Sequence, residues 1–348
     1  MRSHQNKTVG LELVDAACQE WPQLPSRTIA RKLIADNPGV WLKTELENVR
    51  SHVRYLRGKS GDKNRKGRGK FPFAKQLSPS VPHDPRKYVP PSDEREFVPF
   101  VLNTGMTRDA KVDVLGDIHV PYHSKSAVTA ALDKMDQDEP DVIILNGDTL
   151  DFYKLSRFMK DPRCRDAKKE IGVANELLDA LDERFPKARK IWKDGNHEER
   201  LDHYIMSNAP EIYNLAKAEV SILKLLELAE RGWEYVTEKR PIYAGKLTIL
   251  HGHEYPTPVL GPVNAARGLF LRTKASALVN HHHQVSEHTE GDVRGKPIAT
   301  WSVGCLCELH PAYARFNKWS HGYARVMLSP DGDFQVMNRK IHKGKLLN

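Results

Sequence analysis

The strongest constraint on the fold is an alternation of short apolar segments and amphipathic helices that begins near Ala110. The segments KVDVLGD, DVIILNGD and ARKIWKDGN are typical of buried strands, and residues 125–137 and 166–184 have helical periodicity between them. A helical region is predicted at about 211–230, with strands at about 241–250, 275–280 and 298–304. Strands that alternate with helices predict a layered α/β domain over residues 108–330, followed by a C-terminal tail at 331–348.

Five polar clusters follow predicted strands. They are Gly116-Asp117-Ile118-His119, Gly147-Asp148-Thr149-Leu150-Asp151, Gly195-Asn196-His197-Glu198, His251-Gly252-His253 and Asn280-His281-His282-His283. Taken singly, an Asp after a strand usually caps a helix or forms a turn, and a triple His can be a solvated loop. Turn chemistry does not explain five such clusters, because the carboxyl ends of strands are where open α/β sheets place ligand sites.

This order of clusters resembles the calcineurin-like metallophosphoesterases, whose motifs are DxH, GDxxD, GNH followed by Asp or Glu, a later His often followed by Gly, and GHxH. All five blocks occur between Asp117 and His283. The resemblance implies a metallophosphoesterase β-sandwich flanked by helices, which hydrolyses phosphate esters with a hydroxide activated by two metals. One departure is Asn280 in place of Gly, which is expected to alter only the turn. The triple His leaves the register open, and we interpret it as ligand, spacer, ligand.

The resemblance also implies a set of metal ligands, residue by residue. The first ion would be held by Asp117, His119 and His283, the second by Asn196, His251 and His281, and both by Asp148 as a bridge. Mixed Asp, Asn and His ligands fit manganese, iron, zinc or nickel better than calcium. We expect two divalent ions, with manganese first among these metals.

Further site residues are implied in the same way. His197 would face the leaving-group oxygen as a general acid or a transition-state donor, and Asp151 would orient it. The alternative for His197 is a buried structural histidine. His253 is a candidate substrate contact, since some family members have a second histidine near the substrate here. Cys305 and Cys307 are interpreted as core thiols.

The positive charge of the chain is concentrated in one stretch. The net charge is +9, and residues 51–70 (SHVRYLRGKSGDKNRKGRGK) hold eight Lys or Arg and one acid. Such a patch favours a polyanion, and nucleic acid is the partner we expect, although a solvated tail has the same composition. Residues 59–107 are predicted to be a linker, basic at first and then rich in proline.

Residues 1–58 are predicted to form a small helical module that is similar to a helix-turn-helix. Ser26 and Thr44 are expected to cap its second and third helices. The last helix carries three arginines at helical spacing that are candidate phosphate contacts, namely Arg50, Arg54 and Arg57. An amphipathic helix with a basic face is the alternative interpretation.

The compartment is expected to be intracellular and cytoplasmic, with no membrane partner. No run of apolar residues approaches 18, the sequence MRSHQNKTVG lacks the apolar core of a signal peptide, and the four cysteines form no CxxC pair. The oligomeric state stays open.

The substrate depends on the residues after Asp151. Phosphoprotein phosphatases of this family usually have GDxVDRG, with an arginine after the equivalent Asp, whereas this chain has Phe152 and Tyr153. The aromatic residues favour a diester or a base-bearing substrate, although Arg157, Arg163 or Arg200 could replace the arginine. We therefore expect a phosphodiesterase or nuclease acting on nucleic acid. The alternatives are a phosphoprotein (Ser/Thr) phosphatase, a small-molecule or cyclic-nucleotide phosphoesterase and, less favoured, a binding protein without activity.

Overall fold

Two units are distinguished in the computed structural model, Met1–Glu94 and Arg95–Asn348. The structure describes residues 4–57, 96–159, 161, 166–255 and 264–347. Most of the predicted linker and most of the basic stretch therefore lie outside the described residues. Within the described residues, no helix is both long enough and apolar enough to cross a membrane.

The N-terminal unit is built from helices. They are α1 (His4–Glu20), α2 (Ser26–Asp36) and α3 (Leu46–Leu56), with a 3₁₀ turn at Lys43–Glu45. Apolar side chains at helical spacing, including Ile29 and Leu33 of α2 and Val49 and Val53 of α3, form its core.

The predicted hydroxyl caps of this unit were wrong. Ser26 is the first helical residue of α2, and Pro25 precedes it without a side-chain cap. Thr44 lies in the 3₁₀ turn, and Glu45 is the cap residue of α3, again without a side-chain bond. The backbone turns at these positions replace the capping hydroxyls.

The C-terminal unit contains two sheets. The seven-stranded sheet has the order β13-β12-β11-β2-β3-β4-β5, and the six-stranded sheet has the order β1-β6-β7-β8-β10-β9. The strands are β1 (Phe100–Val101), β2 (Ala110–Leu115), β3 (Val142–Asn146), β4 (Arg189–Lys193), β5 (Glu234–Val236), β6 (Ile242–Ala244), β7 (Leu247–Leu250), β8 (Ala277–Val279), β9 (Ser286–Gly291), β10 (Pro297–Ser302), β11 (His321–Leu328), β12 (Phe334–His342) and β13 (Lys345–Leu347). Strands β2 to β5 are parallel, as are β7 and β8.

Helices cover the outer faces of the sheets. They are α4 (Lys125–Asp138), α5 (Ala167–Arg184), α6 (Glu199–Asn208), α7 (Tyr213–Glu219), α8 (Ile222–Leu225) and α9 (Ala265–Thr273). One apolar core joins strands of both sheets, for example Val114, Ile144 and Leu278. A second joins α4 and α5 to the seven-stranded sheet, and α9 packs on the six-stranded sheet through Leu269. The predicted layered α/β sandwich with flanking helices is thus confirmed.

Three segments differ from the prediction. Residues 334–347, predicted to be part of a tail, form β12 and β13 in the seven-stranded sheet. The predicted strand at 241–250 is a hairpin, because Gly245 adopts a φ of 58° between β6 and β7. The region after residue 210 is divided at Val220 and Ser221, where the backbone leaves the helical conformation.

Candidate metal centre

The polar clusters converge at one edge of the sandwich. Asp117 follows β2, Asp148 follows β3 and Asn196 follows β4 in one sheet, while His251 follows β7 and His281 follows β8 in the other. Because parallel strands end at the same edge, residues far apart in the chain become neighbours there. The main-chain N–H of His281, for example, donates to Asp117 Oδ2 at 2.8 Å.

The backbone at this edge is strained. Asp117, His119, Asp148, His281 and His283 all have positive φ, between 50° and 68°. This left-handed conformation costs a residue other than glycine of order 1 kcal/mol, and such strain collects at functional sites. The strand ends therefore hold these side chains in positions that an unstrained turn would not give.

Asp148 lies at the centre of the cluster. Its Oδ2 is 3.8 Å from His119 Nε2 and 3.4 Å from His251 Nε2. Its Oδ1 accepts the main-chain N–H of His197 at 2.9 Å. One carboxylate is thus shared between two histidine groups, which is the position predicted for a bridging ligand.

Each histidine group brings predicted ligands into range of one another. In the first group, His119 Nε2 and His283 Nε2 are 3.3 Å apart, and His283 Nε2 is 3.4 Å from Asp117 Oδ1. In the second group, ligand atoms of Asp148, His251 and His281 all lie within 4.8 Å of one another. The structure therefore brings together the histidines and aspartates that the resemblance assigned to the two ions.

Several atoms of these groups are buried and have no hydrogen bond among the described residues. They include Asp117 Oδ1, Asn196 Oδ1, His251 Nε2 and His281 Nδ1. Buried polar atoms normally have a partner, because an unpaired one costs about 1–3 kcal/mol. Carboxylate and amide oxygen atoms together with imidazole nitrogen atoms are ligands that fit divalent cations of the manganese to zinc series.

The outer contacts of the histidines fix which nitrogen faces the cluster. His251 Nδ1 lies 2.8 Å from the carbonyl oxygen of Asn146, to which only a protonated nitrogen can donate. His119 Nδ1 lies 3.0 Å from Asp151 Oδ1. Both rings are therefore held with Nε2 directed inward, as in most protein metal sites.

The electrostatics keep the carboxylates ionised. Burial opposes the charge of Asp148, but the neighbouring His197 and His251 outweigh burial and hold the pKa of Asp148 well below its usual value. Burial likewise opposes the charge of Asp151, and contacts with His119 and His197 lower its pKa. The cluster thus presents anionic oxygens, which are suitable cation ligands.

The comparisons with known proteins agree with this geometry. The sequence profile described as calcineurin-like phosphoesterase matches residues 110–304, which is more than half of the chain. The chain belongs to the calcineurin-like phosphoesterase family. It is accordingly a hydrolase that acts on phosphoric ester bonds, and the family uses divalent metals.

Individual relatives are distant. The phosphoesterase is similar to the Gene 54 protein of Mycobacterium phage L5, with 22% identity over 234 residues that cover 64% of this chain and 89% of that protein. Among solved structures it is similar to wild-type Vps29 complexed with Zn²⁺ from Entamoeba histolytica (14% identity, 68% of this chain, 96% of that chain, TM-score 0.36). It is also similar to the phosphoesterase YfcE from E. coli (14% identity, 66% of this chain, 98% of that chain, TM-score 0.29).

His197 lies beside the metal cluster of the phosphoesterase. Its Nδ1 is 2.9 Å from the carbonyl oxygen and 3.2 Å from the carboxylate of Asp151. Its Nε2 is 2.8 Å from Arg200 Nη2, and Arg200 Nη1 donates to the carbonyl oxygen of Asp151 at 2.7 Å. The site therefore contains an arginine, one of the three that the sequence offered. By contrast, Phe152 is fully buried and does not line the site as an aromatic surface.

Two glutamates that the sequence analysis did not single out fix the ligand loops. Glu198 is buried and accepts the main-chain N–H groups of Asp148, Thr149, Leu150 and Gly195 at 2.8–2.9 Å. Glu254 accepts those of His251 and Gly252, and it pairs with buried Lys193 at 3.0 Å. Glu198 follows the GNH motif directly, so its place in the motif was the available signal. Glu254 carried none.

Close packing explains a glycine and the departure at Asn280. A Cβ atom on Gly195 would lie 2.2 Å from Asp148 Oδ1, so only glycine allows the carboxylate to occupy its position. Asn280 is fully buried, and its Oδ1 accepts from Asn146 Nδ2 at 2.8 Å. It therefore ties the ends of β3 and β8 together, a larger role than the expected change of turn.

The remaining predicted residues have mixed outcomes. His253 Nε2 lies 3.1 Å from Glu199 Oε1, and its ring is 5.2 Å from that of His251. Cys305 and Cys307 are buried and free, as expected of core thiols, but Cys307 Sγ also lies 3.8 Å from His283 Nδ1. Arg163 lies outside the described residues, and Arg157 is exposed.

The arginines of α3 do not form a common face. Arg57 is only 8% exposed and donates to the carbonyl oxygens of Trp21, Pro22 and Leu24. Its prediction as a phosphate contact was wrong, because helical spacing does not reveal that the side chain turns inward at the end of the helix. Arg50 pairs with Glu47 at 2.7 Å, and Arg54 is exposed.

Proposed function

We propose that the phosphoesterase hydrolyses phosphodiester bonds of nucleic acid with two divalent cations bound at the strand ends. The position of Asp148, with Oδ2 3.8 Å from His119 Nε2 and 3.4 Å from His251 Nε2, carries the proposal of two ions, because a carboxylate shared by two ligand groups can bridge a pair of metals. Manganese is the first metal to test, since the donors are a mixture of carboxylate, amide and imidazole.

The ligand groups would divide as follows. Asp117, His119 and His283 would hold one cation, Asn196, His251 and His281 the other, and Asp148 both. Two divalent ions at such a site lower the pKa of bound water and neutralise the oxygens of a phosphate. The buried atoms without hydrogen bonds would thereby gain the partners that they lack in the polypeptide alone.

His197 and Arg200 would act on the phosphate side of the site. The contact between His197 Nδ1 and Asp151 leaves Nε2 to face the substrate, where it can hold a proton near the leaving-group oxygen. In the free protein, Arg200 contacts this Nε2 at 2.8 Å. We propose that the guanidinium turns to the phosphate when substrate binds, which releases Nε2 and adds a positive charge beside the anion.

The distribution of charge supports nucleic acid as the substrate. Residues 51–70 hold eight Lys or Arg and one acid, and Arg54 of α3 is exposed at the start of this stretch. Lys and Arg that neutralise phosphates make binding weaken steeply with salt, with a log-log slope of about −0.7 to −0.9 per phosphate. Truncation of residues 1–70 is expected to make this slope shallower, and Arg54→Ala to remove part of it. Equal slopes in full-length and truncated protein would contradict the role of this region.

Arg200 supports a second candidate, a phosphomonoesterase acting on phosphoproteins. A guanidinium beside the general acid can clamp the extra charge of a monoester, which is the function of the arginine that GDxVDRG supplies in phosphatases. Both candidates fit an intracellular location. The cysteines of the described residues are free and buried, which supports a reducing compartment.

An activity panel with Mn²⁺ separates these candidates. The substrates are a bis-aryl phosphate, an aryl phosphate, single-stranded and duplex DNA, RNA and a phosphopeptide, each compared as kcat/KM at equal metal concentration. Our proposal predicts the highest values for nucleic acid and higher values for the diester than for the monoester. Preferential hydrolysis of the phosphopeptide would contradict it in favour of the second candidate.

A further inference from the structure

The segment between Cys307 and β11, residues 308–320, has an unusual composition for a loop. Its stretch HPAYARFNKW, residues 310–319, contains three aromatic residues and two long cations but no acid. Aromatic and basic side chains in alternation are typical of surfaces that bind single-stranded nucleic acid. We call residues 308–320 the aromatic loop.

The aromatic loop is held in shape by its own polar contacts. The amide nitrogen of Asn317 donates to the carbonyl oxygens of Leu309 and Ala314 at 2.5 and 2.6 Å. Its amide oxygen accepts the main-chain N–H of Trp319 at 2.8 Å. Because the side chain of Asn317 fixes the backbone of the aromatic loop, the exposed aromatic side chains of the loop are not needed to stabilise its conformation.

One end of the aromatic loop touches the metal cluster. The rings of Trp319 and His283 have centroids 4.2 Å apart, and the main-chain N–H of Ser320 donates to the carbonyl oxygen of His283 at 2.8 Å. The ring of Tyr313 lies 6.3 Å from that of Trp319. Tyr313 is thus connected to the predicted ligand His283 through the ring of Trp319.

Several side chains of the aromatic loop are exposed to solvent and do not contribute to a core. Tyr313 is 73% exposed and Phe316 is 103% exposed, and Arg315 and Lys318 are exposed beside them. A single exposed apolar residue is ordinary, but here two rings and two cations share a closed loop that adjoins a phosphate site. A ligand that combines flat rings with phosphates complements both features.

We propose that the aromatic loop is a base-stacking platform for single-stranded nucleic acid, on which the base next to the hydrolysed phosphate stacks against Tyr313. This inference rests on nucleic acid being the substrate. Arg315 and Lys318 contact the neighbouring phosphates, and Phe316 accepts a further base. The platform selects single strands, because the bases of a duplex are already stacked on one another and cannot reach the ring without unpairing.

The test compares Tyr313→Leu with Tyr313→Phe in the full-length protein with Mn²⁺. On a single-stranded oligonucleotide, Tyr313→Leu is expected to raise KM about 5- to 100-fold with kcat little changed, the effect of losing one stacked base. Tyr313→Phe retains the ring and is expected to keep the wild-type KM. Tyr243→Leu is the matched control, since Tyr243 is a partly exposed tyrosine on β6, outside the aromatic loop.

An oligonucleotide with abasic sites provides the second readout. Without bases to stack, wild type and Tyr313→Leu should give the same KM. Three results would overturn the platform. One is a KM difference between wild type and Tyr313→Leu that persists on the abasic strand, and another is equal KM values for these two proteins on the ordinary strand. The third is a KM of Tyr313→Phe that is raised as much as that of Tyr313→Leu. If wild-type protein hydrolyses an aryl diester but no oligonucleotide, nucleic acid is not the substrate, and the proposal of a stacking platform is rejected together with the proposed function. If wild-type protein hydrolyses oligonucleotides and Tyr313→Leu has the same KM as wild type, only the stacking platform is rejected.

Discussion

The N-terminal unit and the C-terminal unit bury charge in different ways. Among the described residues of the N-terminal unit, Arg57 is the buried charged side chain, and three main-chain carbonyl oxygens accept from its guanidinium. In the C-terminal unit, many of the buried polar groups lie together at the strand ends. Several of their atoms, such as Asp117 Oδ1 and His251 Nε2, have no hydrogen bond in the described part of the chain.

Buried charge alone therefore does not identify a functional site. Arg57 donates to main-chain carbonyl oxygens from a buried position, so it stabilises the fold, and its guanidinium is turned away from any phosphate in solvent. In the strand-end cluster, several anionic and imidazole groups lie within a few ångströms of one another, and some of their atoms have no hydrogen bond among the described residues. Missing partners, combined with strained backbone, distinguish the site from structural burial.

The largest expected effect is that of Asp148→Asn. A neutral amide bridges two cations poorly, so turnover of an aryl phosphodiester should fall by about 1,000-fold or more, since the ions supply several kcal/mol of transition-state stabilisation. Steady-state kinetics measure this change. Asp333→Asn is the matched control, because Asp333 is an exposed carboxylate paired with Lys246. Full turnover of Asp148→Asn would show that the central carboxylate is structural, like Arg57.

His197→Ala should have the next largest effect. We expect kcat to fall by about 100-fold or more, the scale of a lost general acid or preorganised donor, while bound metal is retained. Kinetics and elemental analysis of the same samples check both parts. His203→Ala, at an exposed position of α6, should leave both unchanged. Loss of metal from His197→Ala would mean that the ligand register around Asn196 is wrong.

Arg57→Ala tests whether the buried charge of the N-terminal unit is structural. Three carbonyl oxygens lose their donor, so the free energy of unfolding of the N-terminal unit should fall by about 2–3 kcal/mol. Arg54→Ala, at an exposed position, should change it by less than about 0.5 kcal/mol. Hydrogen exchange of the α2 and α3 amides measures both. Equal exchange rates in the two variants would contradict the structural role of Arg57.

A smaller, pH-dependent effect is expected at Asp194. Burial raises the pKa of Asp194 from 3.8 to about 6, although Tyr235 and Trp192 donate to it. Between these pH values the folded protein retains a proton that the unfolded chain loses, so the free energy of unfolding decreases as pH rises. The total loss is about 3 kcal/mol, or 1.4 per pKa unit.

Asp194→Asn removes this titration. Chemical denaturation of both proteins at several pH values should give a difference in unfolding free energy that shifts in favour of the variant from pH 4 to pH 6.5. A constant difference over that range would show that Asp194 has an ordinary pKa in the folded protein.

Much of the C-terminal unit could be predicted from sequence because its information is local. Short apolar segments followed by Asp, Asn or His predicted the strands β2 to β4 and the polar clusters at their ends. The strands β12 and β13 were missed because residues 334–347 mix apolar and charged residues and only Ile341 in these strands is buried, so no apolar run marks them.

Non-local contacts explain what was missed at the site. Glu198 and Glu254 act by accepting main-chain N–H groups, and no side-chain pattern records where those groups point. Arg57 had the spacing of a phosphate contact, but the carbonyl oxygens that receive its guanidinium lie more than thirty residues away in the chain. Such contacts become visible only when the fold places distant segments side by side.

Asp148 is assigned as the ligand that joins two metal-binding groups, and a count of bound cations shows whether both groups hold an ion. The measurement is dialysis of full-length protein against Mn²⁺ followed by elemental analysis, for wild type, His119→Ala and His251→Ala. We predict two ions per chain in wild type and one in each variant, because His119 and His251 belong to different ligand groups that share Asp148. A single ion in wild type, or variants that retain both ions, would contradict the account.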